Sequence, residues 1–272
     1  MLQSRRPSFY QAAIIWSRGI AMSKVFSKNL SIILVEPRQP GNIGATCRAM
    51  ANYGVSDLRL VNPCNHLAPE AVKFAVAAKP LLGSAKLFAD LPSTVADLHM
   101  SVALTRRSGR LRGELPQISQ LPRQLHSLPA QSRVGLVFGR EDCGLSTAEI
   151  ACCTHAASIP TIGETGSLNL AQAVVVSLYE LCGRSNQFDV LDSIGTGDVL
   201  PPQRDLDPLM QQLEQLADLI GYTNPSRPEV VGHTLRQLLG RARPNVREYN
   251  MLRGLVSQLE QSVQGWPGKR RG

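Results

Sequence analysis

From Val134 to Phe138, the run RVGLVFG (133–139) is apolar where a half-exposed strand would alternate with polar residues. A strand that is apolar on both faces has to be covered on both faces, which is the condition of a parallel sheet between two helical layers. Its companions are LSIILVE (30–36), closed by Pro37, DLRLVNP (57–63), ended by Pro63, HMSVALT (99–105) and the weaker THAASIP (154–160). Helical segments lie between them. NIGATCRAMANYG (42–54) reads as a helix capped by Asn42, with Gly54 where a C-terminal glycine belongs. Further helices fall at about 68–78 and 92–97. Strands alternating with helices predict an α/β fold on a parallel sheet.

The chain ends on a different pattern. Residues 185–206 form a Gly/Asp/Pro linker, and three amphipathic helices follow over 207–264. The first is expected to start with Asp207 as cap and Pro208 in the first helical position, burying Leu209, Leu213, Leu216 and Ile220. The second covers about 228–241. The third carries Tyr249, Leu252, Val256, Leu259 and Val263 in steps of three and four, a stripe that must pack on its neighbours or on a second subunit. These segments divide the chain into a basic tail (1–28), an α/β domain (29–184), the linker, a helical extension (207–264) and a second basic tail (265–272).

The net charge of +8 suggests a polyanion partner until it is located. Arg5, Arg6, Arg18, Lys24 and Lys28 lie in an acid-free start, and Lys269, Arg270 and Arg271 close the chain. The body between them is neutral, so any polyanion contact must use local patches. The first 22 residues have the composition of a transit peptide, and equally that of a disordered tail or of a start placed ahead of Met22; the latter two are preferred. No apolar run is long enough to span a bilayer. The six cysteines form no C-x-x-C pair and read as reduced, buried thiols of a cytoplasmic protein. Cys152, Cys153 and His155 lack metal-ligand spacing, and no metal is expected.

Three glycine-bearing loops follow strands directly: EPRQPGNIGATCR (36–48), FGREDCGLS (138–146) and IPTIGETGSLN (159–169). Ligands of open parallel sheets bind beyond the carboxyl ends of the strands, where glycines admit backbone groups to close contact. None of the loops is a phosphate cradle of the G-x-x-x-x-G-K-[ST] or G-x-G-x-x-G kind, and no G-x-S-x-G elbow occurs. The third loop leads into LAQAVVVSLYEL (170–181), apolar on nearly every face. The segment 106–132 breaks the α/β rhythm and is rich in arginine.

The set NIGATCR (42–48), FGREDCGL (138–145) and SLNLAQAV (167–174) resembles the three signature motifs of the SPOUT RNA 2′-O-methyltransferases. The resemblance runs from about residue 29 to 264. It implies a deep trefoil knot at the C-terminal side of the sheet, S-adenosylmethionine held in the knot loops mostly by backbone atoms, and a homodimer. Carried onto this chain, it makes Thr105, Gly139, Glu141, Ile159, Gly166, Ser167, Leu168 and Asn169 cofactor-binding residues. Arg48 and Asn169 become the catalytic pair. Asn42, Arg48, Arg106, Arg107, Arg110 and Arg112 are expected to meet RNA; the family often has small residues where this chain has Arg106 and Arg107.

On a helix, Arg48 leans back over Gly44 and Ala45, whose small size would let a substrate backbone come close. Its guanidinium holds its proton too tightly to act as a base, so it would stabilise charge developing on a ribose 2′-oxygen. Each residue also has a plainer reading: Arg48 as a surface arginine paired with an acid, Asn42 and Ser167 as helix caps, Glu141 as a partner of Arg140 or of loop amides. The expected activity is transfer of methyl from S-adenosylmethionine to a tRNA 2′-hydroxyl, with nucleotide 32 of the anticodon loop as target. The alternatives are ribosomal RNA, another tRNA position, a knotted RNA-binding protein without catalysis, and an enzyme acting on small nucleotides. Neither membrane nor DNA is an expected partner.

Overall fold

The computed structural model describes residues 27–106, 115–162, 167–183, 200–224, 226 and 228–263. Gly166, Arg107, Arg110, Arg112, most of the linker and nearly all of both basic tails lie outside the described residues.

Six parallel strands form the sheet: β1 (Leu30–Val35), β2 (Asp57–Val61), β3 (Lys86–Phe88), β4 (Met100–Leu104), β5 (Val134–Phe138) and β6 (His155–Ala157), in the order β3-β2-β1-β5-β4-β6. The registers Leu34↔Phe138, Ala103↔Val137 and Leu104↔Ala157 bring the ends of β1, β5, β4 and β6 to one level. The loops that leave those ends therefore meet.

Helix α1 (Pro40–Asn52) packs with α2 (Pro69–Ala75) and α7 (Leu170–Leu178) on one face of the sheet. There Ile43, Cys47, Met50, Val174 and Leu178 meet the strand residues Leu30, Ile32 and Leu34. The other face buries Ile33, Val35 and Val137 under α4 (Leu91–Val95) and α6 (Thr147–Cys152). Between α2 and β3 lies α3 (Lys79–Gly83), and α5 (Leu121–His126) leads toward β5. The short β3 and α3 carry too little periodicity to have been read from sequence.

Asn42 is not the cap of α1. The helix starts two residues earlier, because Pro40 suits the first turn, where no backbone donor is needed. Gly54 does follow the helix in the left-handed conformation, at φ +70. The extension consists of α8 (Gln203–Leu219), α9 (Glu229–Ala242) and α10 (Val246–Ser262). Its first helix begins before Asp207, so Pro208 is its sixth residue and lies inside it, past the first turn. Gln203 holds that earlier start: its side chain accepts from Ser101 Oγ at 2.8 Å and donates to the carbonyl of Cys152. Consequently Leu206, Leu209 and Met210 are buried, while Ile220 is exposed. Tyr249 and Val256 of α10 are buried against α8 and α9, whereas Leu259 stays open. Among the described residues, no helix is long and apolar enough to cross a membrane.

Candidate active site

The loops after β4, β5 and β6, with the start of α7, enclose a cleft of about 280 Å³. Leu104, Phe138, Leu170 and Ala173 form its apolar walls, and Thr105, Arg106, Gly139, Glu141, Ile159, Ser167 and Leu168 also line it. Glycine is required at 139, since a Cβ there would sit 2.2 Å from the Gly144 carbonyl carbon. Gly144 has φ +68, and its amide donates to the Arg140 carbonyl at 2.9 Å, so the segment folds back on itself. Leu104, Phe138, Gly144, Leu145, Thr161, Leu170 and Ala173 were not expected as lining; only the glycine in EDCGL gave a signal, because strand-end apolar residues look like core.

One chain of hydrogen bonds ties the three motifs together. Asn169 Nδ2 donates to Asn42 Oδ1 at 2.9 Å, and Asn42 Nδ2 donates to Glu141 Oε1 at 2.9 Å. The Glu141 carboxylate also accepts from the amides of Arg38 (3.0 Å) and Gln39 (3.1 Å). Burial pushes the Glu141 carboxyl upward, but the donation from Asn42 and the loop amides outweighs it and holds the group below the ordinary carboxylate range. Glu141 is therefore an ionised anchor for the first loop; it pairs with loop amides and not with Arg140. Asn169, not Ser167, caps α7, its Oδ1 accepting from Ala171 N at 2.9 Å. The polar approach to this apolar helix thus fastens α7 to the first motif.

A second network stiffens the same loops. Arg140 bonds Glu36 at 2.8 Å and both carboxylate oxygens of Glu149, at 2.9 and 3.0 Å. Hydrogen bonding to Arg140 holds Glu36 below its usual pKa, and Arg140 is raised in turn. Glu36 has φ +46, a strained conformation for this residue type, directly after β1. Arg38 pairs with Asp142 across the two loops.

Arg48 lies on the exposed edge of α1, with no ion pair among the described residues, and is not part of the cleft's lining. The small size of Gly44 has another purpose than substrate approach. Gly44 is buried, and a Cβ there would lie 2.1 Å from the Ala71 carbonyl oxygen, so glycine lets α1 and α2 touch backbone to backbone. Arg106 borders the cleft and is exposed. Among the described residues, no three His, Cys, Asp or Glu side chains are grouped so as to hold a metal.

A parallel sheet whose strand-end loops are drawn together by motif residues defines the class. Residues 29–179 match the SpoU rRNA Methylase family, and the chain belongs to it as a methyltransferase. Residues 204–267 match the C-terminal domain of the tRNA methyltransferase TrmJ. The chain is 34% identical to tRNA (cytidine/uridine-2′-O-)-methyltransferase TrmJ of Sodalis glossinidius, over 85% of this chain and 91% of that protein. It is 33% identical to the Salmonella typhimurium protein of the same name, over 88% of this chain and 99% of the other. The crystal structure of TrmJ from Z. mobilis superposes with a TM-score of 0.70 at 34% identity, covering 85% of this chain and 98% of that one.

Proposed function

We propose that this chain methylates the ribose 2′-hydroxyl of a tRNA pyrimidine, at nucleotide 32 of the anticodon loop, using S-adenosylmethionine. The observation that carries the reading is the hydrogen-bonded chain Glu141–Asn42–Asn169, which joins all three motifs at one cleft. The relatives' activity as tRNA (cytidine/uridine-2′-O-)-methyltransferases supports the substrate class. Ribosomal RNA and other tRNA positions are the competing substrates. We further propose the trefoil knot, a homodimer and a cytoplasmic setting.

The cleft suits the cofactor: its apolar walls fit a flat adenine, and its glycine-bearing loops expose backbone groups for hydrogen bonding. Thr105, Gly139, Glu141, Ile159, Gly166, Ser167, Leu168 and Asn169 would hold it. When bound, it supplies an electrophilic methyl group on a sulfonium. Asn169 and Glu141 act by position, since their polar atoms are committed to α7, Asn42 and the first loop. Arg48 orients the 2′-oxygen and stabilises its developing negative charge, and the proton leaves to water or phosphate. Asn42, Arg48, Arg106, Arg107, Arg110 and Arg112 would contact the RNA. Because Arg48 does not line its own chain's cleft, it serves the cleft of a second copy. The exposed Leu168, Val175 and Tyr179 at and along α7 are the apolar surface on which such a copy would sit.

The test is mass spectrometry of nucleosides from unmodified tRNA incubated with protein and S-adenosylmethionine. A 2′-O-methylpyrimidine that maps to nucleotide 32 and is absent with Arg48→Ala is expected; no product on any tRNA would overturn the reading. Mixing Arg48→Ala with Gly139→Ala chains should restore about a quarter of the activity if the arginine acts across a two-fold dimer, and none if it acts within one chain.

A further inference from the structure

Among the described residues, one charged side chain at the cleft is uncommitted. Four line it: Arg106, Arg140, Glu141 and Asp142. Arg140 is held by Glu36 and Glu149, and Asp142 is paired with Arg38. Glu141 is occupied by Asn42 and by the amides of Arg38 and Gln39. Arg106 alone of the four forms no ion pair or hydrogen bond with another described side chain, and it is exposed.

The fold fixes where this arginine starts. Arg106 follows the last residue of β4 by two positions, and the Thr105 amide before it donates to the Ala157 carbonyl at 3.0 Å. The backbone is thus pinned to the end of β6 up to the residue before Arg106. Its side chain leaves from a defined point on the rim of the cleft.

The helix ends at the cleft, which could otherwise receive an anion through their first amides, are already filled. At α7, which borders the cleft through Leu170 and Ala173, Asn169 Oδ1 accepts from Ala171 N at 2.9 Å and from Gln172 N at 3.4 Å. At α6, Ser146 Oγ accepts from Glu149 N at 3.2 Å, and Glu149 Oε2 accepts from Ser146 N at 2.7 Å. An anion drawn into the cleft therefore finds its free cation in Arg106. S-adenosylmethionine brings such an anion, the carboxylate at the end of its amino-acid arm. A solvated surface arginine is the plainer reading of Arg106. That reading leaves the carboxylate without a counter-charge, in a cleft that Glu141 and Asp142 also line.

We propose that Arg106 is a cofactor-binding residue, whose guanidinium pairs with the carboxylate of S-adenosylmethionine and holds the amino-acid arm that carries the sulfonium. This rests on the S-adenosylmethionine reading above. A carboxylate gripped by both oxygens uses two of the five guanidinium donors, and the others remain for the RNA contact. The pairing makes the cleft favour adenosine derivatives that keep the arm over those that lack it.

The experiment is isothermal titration calorimetry of the full-length chain without RNA. The ligands are S-adenosylhomocysteine, which keeps the arm, and 5′-methylthioadenosine, which lacks it. Arg106→Ala should weaken S-adenosylhomocysteine about fivefold and leave 5′-methylthioadenosine unchanged, which also shows the cleft intact. Arg106→Lys, with the charge but not the planar fork, should recover part of the loss. Added salt should weaken S-adenosylhomocysteine more on the wild type than on Arg106→Ala. An unchanged affinity for S-adenosylhomocysteine, or an equal loss on both ligands, would overturn the proposal. A wild type that binds neither ligand overturns the cofactor reading, and the carboxylate contact falls with it. A wild type that binds S-adenosylhomocysteine but methylates no tRNA refutes the substrate reading alone, and the same comparison of ligands decides Arg106.

Discussion

Replacing Gly44 by alanine sets a local rule against a tertiary contact. In an exposed helix interior, alanine is better than glycine by about 1 kcal/mol. Here the new Cβ would stand 2.1 Å from the Ala71 carbonyl oxygen, against the 3.4 Å or more of an ordinary contact. Both atoms are fixed to helical backbone, so no side chain can rotate away, and α1 must move off α2 by roughly 1 Å. Overpacking of this kind costs about 1–3 kcal/mol, and a backbone clash belongs at the upper end. Against the propensity gain, a net loss of about 2 kcal/mol remains, or a fall in Tm of about 5 °C for a chain of this size. The same shift carries Asn42 and Arg48, and a misplacement of about 1 Å near the chemistry costs about 100-fold in rate. Urea unfolding followed by circular dichroism, with kcat/KM for tRNA methylation, reads both effects. A Gly44→Ala protein as stable and active as the wild type would show that the α1–α2 contact is not tight.

Other substitutions probe the networks. Asn42→Ala should lower kcat/KM at least about tenfold while costing about 1–3 kcal/mol, as it leaves Asn169 Nδ2 unpaired and removes a donor from Glu141; wild-type activity would refute the bridging role. Arg59, only 3% exposed, pairs with Asp57 and Asp97, and Arg59→Met should cost about 3 kcal/mol by removing the buried cation they share, leaving Asp57 to Lys86 and Ser31 and Asp97 to Arg133. Burial raises both carboxyls, but bonds from Lys86, Ser31 and Arg59 to Asp57, and from Arg59 to Asp97, hold them below the ordinary range. Their stabilisation is present above about pH 4 and is lost as pH falls through the folded values, so the variant's acid unfolding should be shallower than the wild type's. His155, lowered from 6.5 to about 4, is favoured neutral in the folded state. The His155 contribution to stability should therefore fall by roughly 3 kcal/mol between pH 6.5 and 4, and His155→Gln should lose that part of the slope while keeping the part set by His99, which burial also lowers; parallel profiles would refute the assignment.

The parallel sheet was legible because continuous apolar strands such as 133–139 have no other soluble solution than cover on both faces. The three motifs were legible because glycines at strand ends and a polar approach to an apolar helix are local features. The caps misled for two reasons: at α1 the nearby Pro40 displaced Asn42, and at α8 distant contacts chose the start, Gln203 reaching Ser101 and Cys152 and displacing Asp207. Neither Glu141's partners nor the pairing of Arg140 with Glu36 and Glu149 follows from sequence separation, since the residues meet only when β1 and β5 lie side by side.

What was written in the sequence is whatever depends on neighbours within a few residues: the alternation of strand and helix, the loops with room for close backbone approach, and the neutral body with basic ends. What the tertiary structure decided is which polar atoms remain available. It closed Asn42, Asn169 and Glu141 into one chain, turned the small size of Gly44 inward, left Arg48 outside its own cleft, and fastened the turn after α9 onto α5 through Arg243. Hydrogen bonds and charges act over a few ångströms, and only the fold determines which distant residues come within that range.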